Sequence, residues 1–210
     1  MKRTTALLLI MAAVLTTAFI SCEEDKEKIE TMFSGFMTGN TDSEGYVAVL
    51  TNDYGTQYMV REKSEKLRPD TAYRLVASVA LDENLTARII QMAPTISYRA
   101  PLDNAMPDSL RVKDPLEIVS MYIGGGYLNI NLGVKVSKED SYHRILYTRK
   151  DSLGNLKFTI YHNAYGDQPV YTKHAYISIP LYSYGLAKND TVFLSCNGYT
   201  EDYERELIFK

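Results

Sequence analysis

The hydrophobic pattern of the chain begins with one long apolar run near the amino terminus. Residues 6–20 are almost entirely apolar, Lys2 and Arg3 precede them, and Ser21-Cys22 follows directly. A run of about 15 residues is shorter than the roughly 20 that a membrane-spanning helix needs, and a basic start with an apolar centre is typical of an export signal. The pattern predicts a signal segment over residues 1–21 and, because residues 23–28 are charged, a solvated tether over residues 22–30.

The next segment, residues 31–98, alternates between apolar and polar positions in short stretches. The turn sequence Asn52-Asp53-Tyr54-Gly55 separates two of these stretches and predicts a hairpin, because Asn, Asp and Gly tolerate left-handed backbone angles. Glu62–Arg68 is expected to form a short helical connection. Five strands are predicted, over residues 32–38, 45–51, 56–60, 72–79 and 86–92. Five short strands in this length favour a small Greek-key barrel of the OB type.

Residues 99–114 lack a hydrophobic period and contain Pro101 and Pro107, which indicates a linker between domains. Seven strand-like runs then follow in residues 115–210, a number and length typical of an immunoglobulin-like β-sandwich. The predicted fold class is therefore all-β, with an OB-type barrel followed by a sandwich. The composition agrees, since the chain has 17 tyrosines and no tryptophan, and tyrosine suits a pleated surface with one wet side.

Charge and cysteine content restrict the function classes. A formal net charge of −3 disfavours general nucleic-acid binding. Four basic residues crowd into 61–68, where a solvated face alternating with Glu62 and Glu65 is favoured over an anion-binding patch. Cys22 and Cys196 are the two cysteines, and Cys196 lies in a strand-like run, so we expect it to be buried and not catalytic.

Candidate chemistry in the second domain is sparse. Gly124-Gly125-Gly126 could suggest a phosphate loop, but no Lys-Ser/Thr follows and a strand continues, so a tight bend is predicted. His143, His162 and His174 are the three histidines, without the close spacing of metal ligands, and no metal or cofactor is predicted. A cluster of aromatic residues is the candidate binding surface, comprising Tyr161, Tyr165, Tyr171, Tyr176, Tyr182 and Tyr184.

Two resemblances add to this picture. Ser21-Cys22 after the apolar run resembles the lipobox of bacterial lipoproteins, which implies that Cys22 is lipidated. The segments 115–130, 142–143 and 161–167 resemble the second domain of NigD-like proteins, and 45–46 and 73–74 are similar to that family's first domain. The resemblance implies an exported lipoprotein of Bacteroidota-type bacteria, with an OB-type barrel, a β-sandwich, no catalytic residues and a connection to bacteriocin gene clusters.

Three functional hypotheses remain open from the sequence. The first is a non-enzymatic protein anchored in the outer membrane through lipid on Cys22, on its periplasmic or outer face, that binds an envelope protein. The second is a carbohydrate-binding accessory lipoprotein that uses the tyrosine cluster to bind a glycan. The third is a metal-dependent enzyme built on the three histidines.

Overall fold

The computed structural model describes residues 30–152 and 155–210, and every structural statement below refers to these ranges. Strands β1–β5 form a closed barrel with the order β1-β2-β3-β5-β4, in which β3 and β5 run parallel and the other pairs are antiparallel. Their bounds are β1 Thr31–Thr41, β2 Val47–Asn52, β3 Gln57–Val60, β4 Ala72–Leu81 and β5 Thr86–Pro94. Closure leaves no free sheet edge in this domain.

Small and branched apolar side chains fill the barrel. Alternate positions of the strands point inwards, as the period of two in a β-strand requires. The buried set is Met37, Val47, Leu50, Leu75, Ala77, Val79 and Ala87.

The helical connection predicted for Glu62–Arg68 is wrong, because residues 61–71 form an irregular loop. This loop is tied to the barrel by bonds that a helix could not make. The Ser64 hydroxyl accepts from the Val47 amide, and the Leu67 amide donates to the Gly45 carbonyl oxygen. Two of its four basic residues form ion pairs, Arg61 with Glu30 and Lys63 with Glu44.

The second domain is a sandwich of a three-stranded sheet, ordered β10-β7-β6, and a four-stranded sheet, ordered β12-β11-β9-β8. All pairs are antiparallel except β9 and β11. The bounds are β6 Glu117–Gly124, β7 Tyr127–Val136, β8 Arg144–Ser152, β9 Asn155–Asn163, β10 Tyr171–Pro180, β11 Thr191–Asn197 and β12 Asp202–Ile208. The predicted all-β architecture of a barrel followed by a sandwich is confirmed.

Both sheets contribute to one apolar core in the sandwich. Leu128, Ile130 and Ile177 from one sheet meet Phe158 and Leu194 from the other, and all five are fully buried. Cys196 lies in the same core, which confirms its predicted burial, and burial raises the pKa of its thiol to about 12.

The connection between the domains is short. The Thr95 amide donates to the Arg74 carbonyl oxygen at 3.2 Å. The next residue, Ile96, already pairs with β10, since its amide donates to Tyr176 and its carbonyl accepts from Ser178. The last barrel strand therefore leads directly into hydrogen bonds with the sandwich.

Residues 99–114, expected to be a linker, run along the sandwich. They contain two 3₁₀ turns, Asp103–Ala105 and Asp108–Leu110. Leu102 forms a bridge with Arg149 of β8, and Asp103 accepts hydrogen bonds from Thr148 and Tyr161. The segment thus covers the outer edge of β8. Among the described residues, no helix is both long and apolar enough to span a bilayer.

Candidate functional site

A buried arginine lies at the junction of the two domains. Arg74 is on β4, and its side chain is 3% exposed. Its Nη2 donates to Asp53 Oδ1 at 2.5 Å and to Asn129 Oδ1 at 2.9 Å, while its Nε donates to Ser178 Oγ at 3.1 Å. Asp53 belongs to the barrel, whereas Asn129 and Ser178 belong to the sandwich. One guanidinium therefore connects the domains, and we call these four residues the Arg74 network.

Asp53 completes the network from the β2–β3 turn. Its Oδ2 accepts from the Tyr122 hydroxyl at 2.8 Å and from Asn129 Nδ2 at 3.0 Å. Burial raises the pKa of Tyr122, and the bond to the Asp53 carboxylate raises it further. A buried charge is tolerated where it is paired and hydrogen-bonded, and these contacts give the Arg74 guanidinium a counter-charge and both groups hydrogen bonds between the domains.

The glycine triplet provides the space that Asp53 occupies. Gly125 and Gly126 form the two-residue turn between β6 and β7, with φ of +60° and +81°, which confirms the predicted tight bend. A Cβ atom on Gly125 would lie 2.5 Å from Asp53 Oδ1. Glycine is thus required here both by the backbone conformation and by the close approach of the carboxylate.

An open groove of about 630 Å³ lies above this network, between the barrel and the three-stranded sheet. Phe36 lines it and packs edge-on against Tyr122 and Tyr176, with ring centroids 6.0 Å apart in each case. Tyr54, at the tip of the β2–β3 turn, also lines it and is 91% exposed. We call this cavity the interdomain groove.

The structure distributes the predicted tyrosine cluster over several places. Tyr176 lines the interdomain groove, and Tyr182 packs edge-on against Tyr127. The other four lie elsewhere in the sandwich. Tyr161 is buried and donates to Asp103, and Tyr184 accepts from the Ala100 amide. Tyr165 stacks on Tyr142, and Tyr171 is exposed near Glu139. Their sequence proximity thus does not bring all six onto one surface.

The residues of the groove and of the Arg74 network that sequence reasoning missed are Phe36, Asp53, Tyr54, Arg74, Tyr122 and Asn129. Asp53 and Tyr54 were assigned only to a turn, and Arg74 only to a strand. Arg74 alternates with Leu75 and Ala77, which point into the barrel, so its side chain lies on the outer face of β4 and its partners depend on how the domains meet.

Two of the three histidines form a pair in the sandwich. His143 Nδ1 lies 2.9 Å from His162 Nε2, and His143 Nε2 lies 3.1 Å from Asp167 Oδ2. His174 is on the other sheet and bonds to Asn131. In residues 30–152 and 155–210, no group of three or more His, Cys, Asp or Glu side chains is arranged to hold a metal ion.

Hydrogen-bond partners orient the two rings of the histidine pair. His162 Nδ1 faces the carbonyl oxygens of Pro115 and Asp114, so it carries a proton. Bonds from Ser137 and Ser141 hold the pKa of Asp167 well below its usual range, so this carboxylate accepts from a protonated His143 Nε2. One further proton lies between the rings. Burial lowers the pKa of His162, which favours its neutral form.

The expected lipidation site, Cys22, lies outside the described residues. The first described residue, Glu30, forms ion pairs with Arg61 and Arg88 on the barrel. The bond from Arg88 is the main reason that the pKa of Glu30 is lowered.

Comparison with protein families gives a match that covers more than half of the chain. The model of the NigD-like C-terminal beta sandwich domain matches residues 99–210. The chain belongs to the NigD-like family. No curated protein matches it.

Solved structures share the whole two-domain fold. A NigD-like immunity protein from Bacteroides caccae matches with a TM-score of 0.71 and 23% identity, over 85% of this chain and 97% of that one. A protein from Parabacteroides distasonis, named as a candidate toxin-related protein, matches with a TM-score of 0.68 and 19% identity, over 86% and 94% of the two chains. A candidate lipoprotein from Bacteroides fragilis matches with a TM-score of 0.57 and 12% identity, over 85% of this chain and 97% of that one. At these identities the likeness establishes the fold.

Proposed function

We propose that this NigD-like protein is a non-enzymatic lipoprotein of the outer membrane, anchored through Cys22, that binds another envelope protein in the interdomain groove. The observation that carries the proposal is the groove itself. It is lined by the exposed Tyr54 and by the rings of Phe36, Tyr122 and Tyr176, next to the hydrogen-bonded Arg74 network. Aromatic side chains with few internal degrees of freedom are favoured anchors in protein interfaces.

The Arg74 network supports binding because it holds the groove walls in place. Binding costs less when the interacting side chains are already positioned. The names of two relatives, an immunity protein and a candidate toxin-related protein, point to a partner in a toxin system. A bacteriocin or its export machinery is the partner class that this suggests.

Site-specific photo-crosslinking in intact cells tests the binding site. A benzophenone amino acid at Tyr54 should give a discrete cross-linked band, which mass spectrometry identifies. The control is the same amino acid at Tyr142, which is 71% exposed on a loop of the sandwich. Equal bands from both positions, or no band from Tyr54, would contradict the proposal.

A separate experiment tests the anchor. Cys22→Ala should move the protein from the membrane fraction to the soluble fraction without changing its thermal unfolding. A protein that stays in the membrane fraction would disprove lipid anchoring through Cys22. Protease treatment of whole cells then distinguishes the outer face from the periplasmic face.

A glycan is the second candidate ligand, because the groove combines aromatic rings with the polar side chains Ser34, Ser120 and Asn131. A glycan array would favour it if bound sugars were displaced by Tyr122→Ala and unaffected by Tyr142→Ala. A signal no higher than that of an unrelated protein would remove this alternative.

A further inference from the structure

The four outer strands of the sandwich differ in how their edges are protected. The edge of β8 is covered by residues 98–102, and β10 is covered in part by Ile96. β12 carries Asp202, Glu204, Arg205 and Glu206. Proteins commonly protect edges in these ways, by covering them or by adding charge. From Ile118 to Gly124, by contrast, β6 has no charged residue.

The backbone of β6 is available on its outer side. A two-residue turn makes Gly124 and Tyr127 a hydrogen-bonded pair, and alternation along the ladder then turns the amides and carbonyls of Met121 and Ile123 outwards. Within the described part of the chain, neither residue makes a backbone hydrogen bond on that side. A bulge interrupts the register between Ile118 and Ser120, which leaves Ser120–Gly124 as the regular part of the edge.

A cleft of about 980 Å³ lies beside this edge, between β6 and β12. The side chains of Met121 and Ile123 form one wall, and those of Leu207 and Phe209 form the other, all four packed against the sandwich core. A strand added to β6 would place every second side chain in this cleft, so these residues should be apolar.

Arg205, Glu206 and Lys210 are the charged residues that line the cleft. Along β12, Tyr203, Arg205 and Leu207 share the face that packs inwards, while Glu204 on the opposite face pairs with Lys157. No carboxylate among the described residues lies within ion-pair distance of Arg205. An arginine without a carboxylate partner, in a cleft whose two walls are apolar side chains, favours an occupant with a carboxylate.

We propose that the edge of β6 from Ser120 to Gly124 is a strand-addition site, which binds an extended segment of another protein with alternating apolar residues and an Asp or Glu that pairs with Arg205. This deepens the proposed function by naming the element that the partner supplies, and it places a second contact surface on the cleft side of β6. Tyr122, in the middle of the same edge, faces the interdomain groove, so one partner could contact both surfaces.

Two other occupants fit less well. Residues 23–28 of the chain itself are charged. Glu30, the first described residue, lies beside the β4–β5 turn, whereas the sandwich contacts Arg74 near the opposite end of β4. Two copies paired through five residues each would make a contact about 17 Å long, whereas stable interfaces bury about 800 Å² on each partner. A free segment can instead fill the cleft completely.

A random ten-residue peptide library displayed on phage, selected on the purified protein, tests the proposal. Selected peptides should alternate apolar residues, lack proline at the pairing positions and contain Asp or Glu. A synthetic version of the best peptide should slow hydrogen exchange at the Met121 and Ile123 amides. Arg205→Gln should weaken its binding about tenfold.

Val119→Lys provides the variant that acts on the edge itself. Val119 is 45% exposed on β6, and a lysine there should reduce binding through its charge at the edge. Val170→Lys, at a 69% exposed loop position, is the matched control and should leave binding unchanged. Thermal unfolding of each variant verifies the fold.

Three results would overturn the strand-addition site. They are a selection that enriches no peptide, exchange protection that maps away from β6, and self-association that protects Met121 and Ile123 without peptide and is abolished by Val119→Lys. The last result would assign the edge to a second copy of this chain. None of them removes cross-linking at Tyr54, so the proposed function can be judged separately.

Discussion

Replacing Asp53 with asparagine should strongly destabilise the protein. The side chains of Arg74 and Asp53 are 3% and 10% exposed, so Asp53→Asn would leave the Arg74 charge buried without a counter-charge. The asparagine Nδ2 would also face two donors, the Tyr122 hydroxyl and Asn129 Nδ2. Removing one partner of a buried ion pair costs about 3–5 kcal/mol. We expect a loss of this size in the free energy of unfolding, measured by urea denaturation with circular dichroism.

The barrel offers a matched control for this variant. Glu44→Gln makes the same acid-to-amide change in the pair with Lys63, whose two side chains are 64% and 68% exposed. An exposed pair contributes about 0–1 kcal/mol, so this variant should unfold almost as the parent does. If Asp53→Asn cost no more than Glu44→Gln, the Arg74 network would not stabilise the domain junction.

Three further predictions concern the sandwich and its turns. Gly125→Ala should lower the free energy of unfolding more than Gly166→Ala does, because both glycines have positive φ but only the new Cβ at 125 meets Asp53. The backbone strain alone is about 1–2 kcal/mol. Equal losses in urea denaturation would contradict the clash with Asp53. The Cys196 thiol should resist iodoacetamide at about pH 8 in the folded Cys22→Ala protein, because burial raises its pKa to about 12. It should react once urea unfolds the protein. Rapid labelling of the native protein would disprove the burial of Cys196. The Asp167 pKa is lower in the folded than in the unfolded state, so its stabilisation is present above about pH 4 and is lost as the pH falls below that. The difference in unfolding free energy between the parent and Asp167→Asn should therefore shrink in acid, and a difference independent of pH would contradict this.

Local patterns in the sequence were sufficient for the strands and the turns. The hairpin at Asn52–Gly55 and the bend at the glycine triplet were predictable because turn residues impose backbone angles within a few residues. The burial of Cys196 followed from its place in an apolar strand. These features depend on residues that are near one another in the chain.

The helix prediction over Glu62–Arg68 was wrong because contacts with residues distant in the sequence determine the conformation of this segment. Its composition suits a helix, but the bonds that hold the loop come from Gly45 and from Val47, which contacts Ser64. Tertiary contacts of this kind override weak helix propensity in a segment of only seven residues.

The candidate site was unpredictable for a related reason. Arg74 and Asp53 are 21 residues apart, and Asn129 is 55 residues from Arg74. Their meeting depends on the register of β4, the β2–β3 turn and the docking of the two domains, none of which is present in a hydrophobic pattern. The tyrosines, clustered in sequence, were separated by the same strand geometry.

The parallel pairing of β9 with β11 has a consequence for the order of folding. Between these strands the chain passes through β10 in the opposite sheet, so the four-stranded sheet cannot be completed until residues 191–197 are available. Val192 and Leu194 on β11 help to close the core. During synthesis the barrel can be completed early, but the sandwich stays open until residues 191–197 have been made. Truncation before residue 191 should therefore disrupt the whole second domain and not only one strand.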